Sequence, residues 1–387
     1  MAAFTVLHVI SSLGTGGAEK MLVRLLPRLA PHGIRSVVVA LGGDQTLQRE
    51  LREQGVQVFD LGMTPGRLPT PAVIARLRRA VAGIRADVIH GWMYHGNLAA
   101  SLARLFVTGS PAVIWAIHQT VYDLGREKQL TRAVIRACAA LSRAPQAIVY
   151  VSNVSRQQHR ELGFHDARAV DIANGIDVAE YVGGAAARAA ARAQLGVPHD
   201  CRLVGHVARL HPMKDHTTLL AAAEILLARL GDCRFAVAGE GLSDSNPAFA
   251  ELARRARADG RFLALGPRSD IARLMPAFDA LCLSSAWGEA FPVVLLEAMS
   301  SGVLCAATDV GDCARIIGDT GATVAPRDPA ALAAALEQLL AIDPAARAER
   351  GARARARIAD NFSIDAVARA YARLYADVAP AGAHAVA

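Results

Sequence analysis

WGEAFPVVLLEAMSSGVLCAAT, residues 287–308, holds two carboxylates, Glu289 and Glu297, on either side of an apolar run that Pro292 opens. Proline suits the first helical position, where its missing N–H is an orphan in any case. Glu289 is therefore expected on a loop and Glu297 inside the helix that follows. Gly302 should end that helix, and Val303 to Ala307 should form the next buried strand. The first-turn N–H groups of the helix have no carbonyl partners and face the loop, a ready anion site. Carboxylate, helix N-terminus and carboxylate at the edge of a parallel sheet fit a ligand that carries both hydroxyls and phosphates. Spacing alone is equally compatible with a surface helix bearing two solvated glutamates.

Strands and helices alternate on both sides of this stretch. Upstream, Leu203 to Val207, Phe235 to Ala238, Phe262 to Leu265 and Ala280 to Leu283 read as strands; downstream, Ala322 to Val324 does. Such alternation predicts an α/β domain with a parallel sheet. The N-terminal half has the same pattern, with strands at Thr5 to Ile10, Ser36 to Ala40, Val56 to Leu61, Asp87 to His90, Ala112 to Ile117, Ala147 to Val151 and Ala169 to Ile172. SSLGTGGAEK, residues 11–20, is a glycine-rich turn between the first strand and a helix, the opening unit of a doubly wound sheet. Gly14, Gly16 and Gly17 do not make G-x-G-x-x-G, so this is not the dinucleotide fingerprint. They still let backbone approach a ligand closely.

Met63 to Pro71 reads as a Pro/Gly-rich loop, and GWMYHGN, residues 91–97, as the segment before a helix that begins at Leu98. His118 follows the strand 112–117. Ligands in open α/β sheets sit beyond the carboxyl ends of strands, which places His118 better than His90 or His95. NGID, residues 174–177, and the Ala/Gly/Arg run to Gln194 read as a turn and a low-complexity boundary. Two domains follow, 1–180 and 190–362. Val367, Tyr371, Leu374 and Tyr375 fall at helical spacing in the last segment, 364–380, and require a partner surface.

The length of 387 residues suits two domains, and 53% hydrophobic with 20% charged residues supplies sizeable cores. The six cysteines form no Cys-x-x-Cys pair, which argues against a zinc or redox site and fits a reducing cytosol. Val6 to Ile10 lacks a basic flank and is too short for a signal peptide, and no apolar run reaches the ~20 residues that span a bilayer. The expected place is the cytoplasm, at most peripheral on the inner face of the cell membrane. Residues 1–186 carry 20 Lys and Arg against 13 Asp and Glu, the whole of the net +7. That excess suits an anionic lipid surface or a phosphate-bearing acceptor, or reflects the arginine bias of the chain. No basic run with interleaved aromatics points to nucleic acid.

The strand 203–207 runs into ARLHPMKDH, in which Arg209 and Lys214 share one loop. Two cations there suit a diphosphate, and with only three lysines in the chain Lys214 points to a need for a compact ammonium. Each cation about 4 Å from a phosphate oxygen is worth ~4 kcal/mol at an effective dielectric of 20, before desolvation. No Asp-x-Asp occurs, which disfavours a metal-bridged diphosphate. AGEGL, 238–242, and LGPRSD, 265–270, are strand-end loops, the second able to meet a base through its backbone.

GTGGAEK, IHQT, NGID, VARLHPMKDH, AGEG, GEAFPVVLLE and TDVGD occur in this order. With them the chain resembles retaining glycosyltransferase family 4 (glycosyl transferases group 1) along nearly its whole length. Glu289 and Glu297 match that family's E-x7-E motif. The resemblance implies a GT-B fold: two Rossmann-like doubly wound domains facing across a cleft, with the C-terminal helix crossing back to the N-terminal one. It implies that Arg209 and Lys214 hold a donor diphosphate, and that Glu289, with backbone from Ala290 and Phe291, binds the donor sugar. Amides of Val293 and Val294 would reach the diphosphate, and Glu297 the ribose. Gly16 and Gly17 would close over the phosphates, and His118 would stand near the anomeric carbon. Gly239 and Arg268 would line the nucleotide side. AGEG departs from the family, which usually has Asp between these glycines. The implied activity is transfer from a nucleotide-diphosphate sugar, expected to be UDP-linked, to a hydroxyl of a lipid-linked or glycan acceptor, with no cofactor and no metal. The alternatives are a sugar-nucleotide epimerase on the same architecture and a non-catalytic nucleotide-sugar-binding protein.

Overall fold

The computed structural model describes residues 4–14, 16–43, 45–64, 69–254 and 260–380. The chain divides into two compact units, Met1–Gly175 with Ile364–Ala387, and Ile176–Ser363.

The first unit is built on seven parallel strands: β1 Phe4–Ile10, β2 Ile34–Ala40, β3 Gln57–Asp60, β4 Val88–Trp92, β5 Ala112–Ile117, β6 Ala147–Tyr150 and β7 Ala169–Asp171. Their order is β3-β2-β1-β4-β5-β6-β7, so the direction of winding reverses between β1 and β4. β1, β4 and β5 are buried at every position, as strands covered on both faces must be. The second unit has six: β8 Arg202–Val207, β9 Cys233–Ala238, β10 Phe262–Gly266, β11 Ala280–Leu283, β12 Leu304–Thr308 and β13 Ala322–Val324. Their order, β10-β9-β8-β11-β12-β13, reverses between β8 and β11. The expected strands are all present in both sheets, and 112–117, 280–283 and 322–324 match residue for residue.

Three local expectations are corrected. GWMYHGN is not a loop: the helix after β4 spans Met93–Ala103. Gly96 and Asn97, poor helix formers, are there for packing. A Cβ on Gly96 would lie 2.6 Å from the Val9 carbonyl, and the Asn97 amide bonds both the N–H and the C=O of Ala116 at 3.3 Å. The Ala/Gly/Arg run is not a linker, because Ala185–Leu195 is a helix that buries Ala191 and Arg192. Pro292 is the N-cap, with extended backbone, rather than the first residue of helix Val293–Ser300. Of the loop 63–71, residues 65–68 lie outside the described set.

The last helix, Ile364–Val378, finds its partner in the first unit. Val367, Tyr371, Leu374 and Tyr375 are buried in one cluster with Met21, Leu22 and Leu25 of helix Gly17–Leu29. Tyr375 also meets Nδ1 of His90 through its hydroxyl at 2.8 Å. His8, His90 and His118 surround Trp92 beneath this helix. Burial holds them neutral, with His8 lowered to about 3, His118 to about 4 and His90 well below its usual value. The unfolded chain takes up protons on these rings below pH 6.5 and the folded chain does not. Their stability contribution is therefore complete above pH 6.5 and is lost as pH falls toward 4. The urea midpoint should drop steeply between pH 6.5 and 4.5; a midpoint constant across that window would contradict neutral burial.

Candidate functional site

The cluster of interest forms where the winding of the second sheet reverses. Residues from the carboxyl ends of β8, β11 and β12 meet there, the crevice that open α/β sheets use for ligands. After β8 the chain passes Arg209 and makes a single 3-10 turn, Pro212–Lys214. It then enters helix His216–Arg229 through Asp215, a non-glycine residue in the left-handed region at φ 46°. The Asp215 carboxylate repays that strain by capping the helix, accepting from the Thr218 N–H at 3.2 Å and its hydroxyl at 2.7 Å. This fixes where Lys214 points.

After β11 comes Ser284-Ser285-Ala286-Trp287-Gly288-Glu289. Two bonds tie this loop to the β8 loop: Ser284 Oγ donates to the Lys214 carbonyl at 2.8 Å, and the Ala286 N–H to the Met213 carbonyl at 2.9 Å. The Lys214 ammonium pairs with Oε1 of Glu289, 75 positions away. Oε1 also accepts from Ser285 Oγ at 2.5 Å, and Thr308 at the end of β12 fixes Ser285 by bonding its carbonyl at 2.6 Å. The Glu289 side chain is 8% exposed and that of Lys214 15%, so the pair is weakly screened. Oε2 of Glu289 has no partner among the described residues and can accept a hydroxyl. Gly311, at φ 63°, lets the β12 loop close on this segment: a Cβ there would stand 2.2 Å from the Glu289 carbonyl.

Helix Val293–Ser300 begins beside Glu289 with no side-chain cap, and Val293 and Val294 are half-buried. Their amides are the unpaired donors of the first turn. Ala290 accepts the Asp312 N–H at 3.2 Å through its carbonyl, and Phe291 is buried edge-on against Phe362 at 5.3 Å. Glu297 is half-buried in the second turn of the helix.

Arg209 is exposed and makes no ion pair or hydrogen bond among the described residues. Gly239, at φ 151°, ends β9 against β8: a Cβ there would meet the Ala208 carbonyl at 1.8 Å. Arg268 follows β10 at the sheet edge, where Asp270 holds its guanidinium at 2.6 and 2.8 Å. The Arg268 side chain is thus not part of the Lys214–Glu289 cluster. Among the described residues no group of three or more His, Cys, Asp or Glu converges as a metal site would.

Behind Lys214, His206 and His216 form a buried neutral pair. His206 Nδ1 lies 3.0 Å from the Cys282 carbonyl, which can only accept, so Nδ1 carries the proton. His216 Nε2 must then donate to His206 Nε2, 3.3 Å away. Burial first, and the nearby Lys214 charge after it, lower His206 to about 3 and His216 to about 4. This pair pins the start of the helix after Lys214 to the sheet.

In the first unit the corresponding reversal lies between β1 and β4. Gly16 is the N-cap of helix Gly17–Leu29, and Gly17 has open space where a side chain would go. The Glu19 carboxylate, held by Ser12 Oγ at 3.1 Å, lies 2.3 Å from where a Cβ on Gly16 would stand. His118 follows β5, stacked on Trp92 at 4.9 Å, with Nδ1 3.1 Å from Asn174 Oδ1 and Nε2 buried without a partner among the described residues.

Two family models match the chain, Glycosyltransferase Family 4 over residues 15–180 and Glycosyl transferases group 1 over residues 201–341. The phosphatidyl-myo-inositol mannosyltransferase of Mycolicibacterium smegmatis is 30% identical over 318 residues, 81% of this chain and 76% of that protein. The chain belongs to glycosyltransferase family 4. A putative glycosyltransferase, EpsF of Bacillus subtilis, is 26% identical over 311 residues, 79% of each chain. The solved structure of Anabaena HepE in complex with UDP and glucose has a TM-score of 0.81 at 21% identity, over 97% of this chain and all of that one. That likeness shows the shared GT-B fold.

Sequence reasoning missed the residues that orient the glycosyltransferase's ion pair. Ser284, Ser285, Thr308 and Gly311 were legible as hydroxyls and glycine at strand ends in an otherwise apolar run. The His206–His216 pair carried no such signal, because His206 inside a strand reads as one more core residue and His216 as the first residue of a helix.

Proposed function

We propose that this glycosyltransferase moves a hexosyl group from a UDP-sugar to a hydroxyl of a lipid-linked or glycan acceptor. It would do so with retention at the anomeric carbon and without a metal, in the assembly of a cell-surface polysaccharide. One observation carries the reading: an ammonium and a carboxylate from two loops meet at the switch point of the second sheet, beside an uncapped helix N-terminus. The ammonium has three donors. One stays on Glu289 Oε1 while the others take a phosphate oxygen. Arg209, unpaired and exposed, folds over the second phosphate, and the Val293 and Val294 amides add fixed dipoles. Glu289 Oε2 accepts a sugar hydroxyl, and Glu297 the ribose. The bound UDP-glucose of the Anabaena neighbour supports a uridine donor.

The acceptor oxygen forms its bond to the anomeric carbon on the face from which the diphosphate leaves. The carbon–phosphate-oxygen bond breaks, and the departing oxygen takes the acceptor proton. Charge grows on the leaving phosphate, so cations fixed beside it stabilise the transition state more than the ground state. His118, neutral at pH 7 with its proton on Nδ1 toward Asn174 Oδ1, would offer Nε2 as an acceptor to a sugar hydroxyl. Peripheral attachment of the basic first unit to an anionic membrane would present a lipid-borne acceptor. Among the described residues no helix is long and apolar enough to cross a membrane.

The test is a donor panel read by nucleotide release, followed by NMR of the product. UDP should be released, and the new glycosidic bond should keep the donor's anomeric configuration. An inverted product, or release from GDP-sugars alone, would contradict the proposal.

A further inference from the structure

A cavity of about 250 Å³ opens at the carboxyl end of the first sheet, between helices Pro71–Val81, Met93–Ala103 and Gln129–Leu141. Leu41 and Leu61, the first residues past β2 and β3, form its floor, and Ile74, Ala99 and Leu102 stand among its walls. Among the described residues His95 is the one polar side chain in the lining. The volume is below that of a pocket for a whole drug-sized molecule, so it suits one arm of a larger ligand. Apolar walls reward only apolar occupants, and an ordinary helix interface would have closed such a gap to native packing density.

The three helices that form it are one-signed. They carry Arg76, Arg78, Arg79, Arg132 and Arg136 and no Asp or Glu. Arg76 is held at the rim by a 2.6 Å bond to the Leu61 carbonyl. Arg78 stands one turn from Ile74, which is 37% exposed at the mouth. An apolar slot with the Arg76 guanidinium tied to its floor and Arg78 one turn from its mouth matches an amphiphile with a hydrocarbon chain and an anionic head. The position matches too, since helix Met93–Ala103 starts at the switch point between β1 and β4, and His95 lies in its first turn. A chain seated in the slot leaves its head at the end of the sheet where ligands bind.

We infer that this cavity holds the end of the hydrocarbon chain of the acceptor, an anionic lipid, and that the acceptor class is lipid-linked rather than a free glycan. The inference rests on the glycosyl-transfer reading above for the word acceptor. The chain pocket itself is tested by binding alone. Inorganic phosphate and hexyl, octyl and decyl phosphate, each below its micelle concentration, are titrated into the full-length protein by calorimetry. Affinity should rise about 3- to 4-fold for each methylene that enters the pocket, with inorganic phosphate weakest. Ala99→Phe, which fills the slot, should weaken decyl phosphate at least ~10-fold. Ile74→Glu, on the surface at the mouth, should do likewise by charge. UDP binding, measured in parallel, should be unchanged in both variants, and an unchanged near-UV circular dichroism signal, to which the buried Trp92 and Trp115 of the first unit contribute, shows that the substituted unit folds. Affinity independent of chain length, or decyl phosphate binding equally well to wild type and both variants, overturns the pocket. Failure of UDP binding in the wild-type protein would instead strike the glycosyl-transfer reading and leave the chain-length result to stand or fall by itself.

Discussion

Lys214→Ala should lower turnover at saturating donor at least ~100-fold, a loss of about 2.7 kcal/mol of transition-state stabilisation. The ammonium is the half-buried cation of the cluster and sits on a loop fixed three ways: by the Asp215 cap, by Ser284 at its carbonyl and by the His206–His216 pair behind it. A cation so placed costs no reorganisation when charge develops on the leaving phosphate. Its removal has a second consequence. Glu289 keeps only Ser285 as a partner and becomes a poorly paired carboxylate beside an anionic substrate. Lys214→Arg should restore little, since a planar fork cannot occupy the place of a compact ammonium without moving Glu289. Turnover is followed by nucleotide release, with the thermal midpoint of each variant as the control for folding. Unchanged turnover in a folded Lys214→Ala protein would remove Lys214 from the chemistry.

Asp279→Ala should destabilise the second unit by ~3–5 kcal/mol, a large share of the ~5–15 kcal/mol that holds a typical domain. Asp279 precedes β11 and is 3% exposed. Its Oδ1 accepts from Arg188 at 2.7 Å and Arg347 at 2.6 Å, and its Oδ2 from Arg192 at 2.6 Å and the Leu203 N–H at 2.8 Å. Arg192 is 1% exposed, so loss of the carboxylate leaves a buried guanidinium with carbonyl partners and no counter-charge. A cavity of about 710 Å³ beside Asp279, lined by Arg188 and Arg347, lies at the amino ends of the strands and contains none of Lys214, Glu289 or Glu297. The effect should accordingly appear in the urea midpoint while KM for the donor holds. A midpoint within experimental error of wild type would contradict the buried-charge account.

These two sites differ in how far the sequence discloses them. Glu289, Pro292 and Glu297 sit in one short run whose period changes from loop to helix to strand, so local pattern places them within a residue. The error at Pro292 has a simple cause: a fixed φ near −65° serves the N-cap and the first helical position equally, and only ψ separates them. Asp279 was invisible because its partners are scattered over the chain, two of them in an Ala/Arg run that reads as low complexity. The spacing of Arg188 and Arg192, one helical turn apart, was the available signal. The helix from Met93 was hidden by Gly96 and Asn97, whose low helix propensity is overridden by close packing on β1 and hydrogen bonds to β5. The pairing of Lys214 with Glu289 lay beyond sequence reasoning, since it depends on β8 and β11 being neighbours.

A crystal structure with UDP bound probes the electrostatic claim most directly. A phosphate oxygen is predicted within hydrogen-bonding distance, about 2.7–3.2 Å, of Lys214 Nζ, with the Val293 and Val294 amides on the same diphosphate. A diphosphate bound elsewhere, with Lys214 bonded to Glu289 alone, would contradict it.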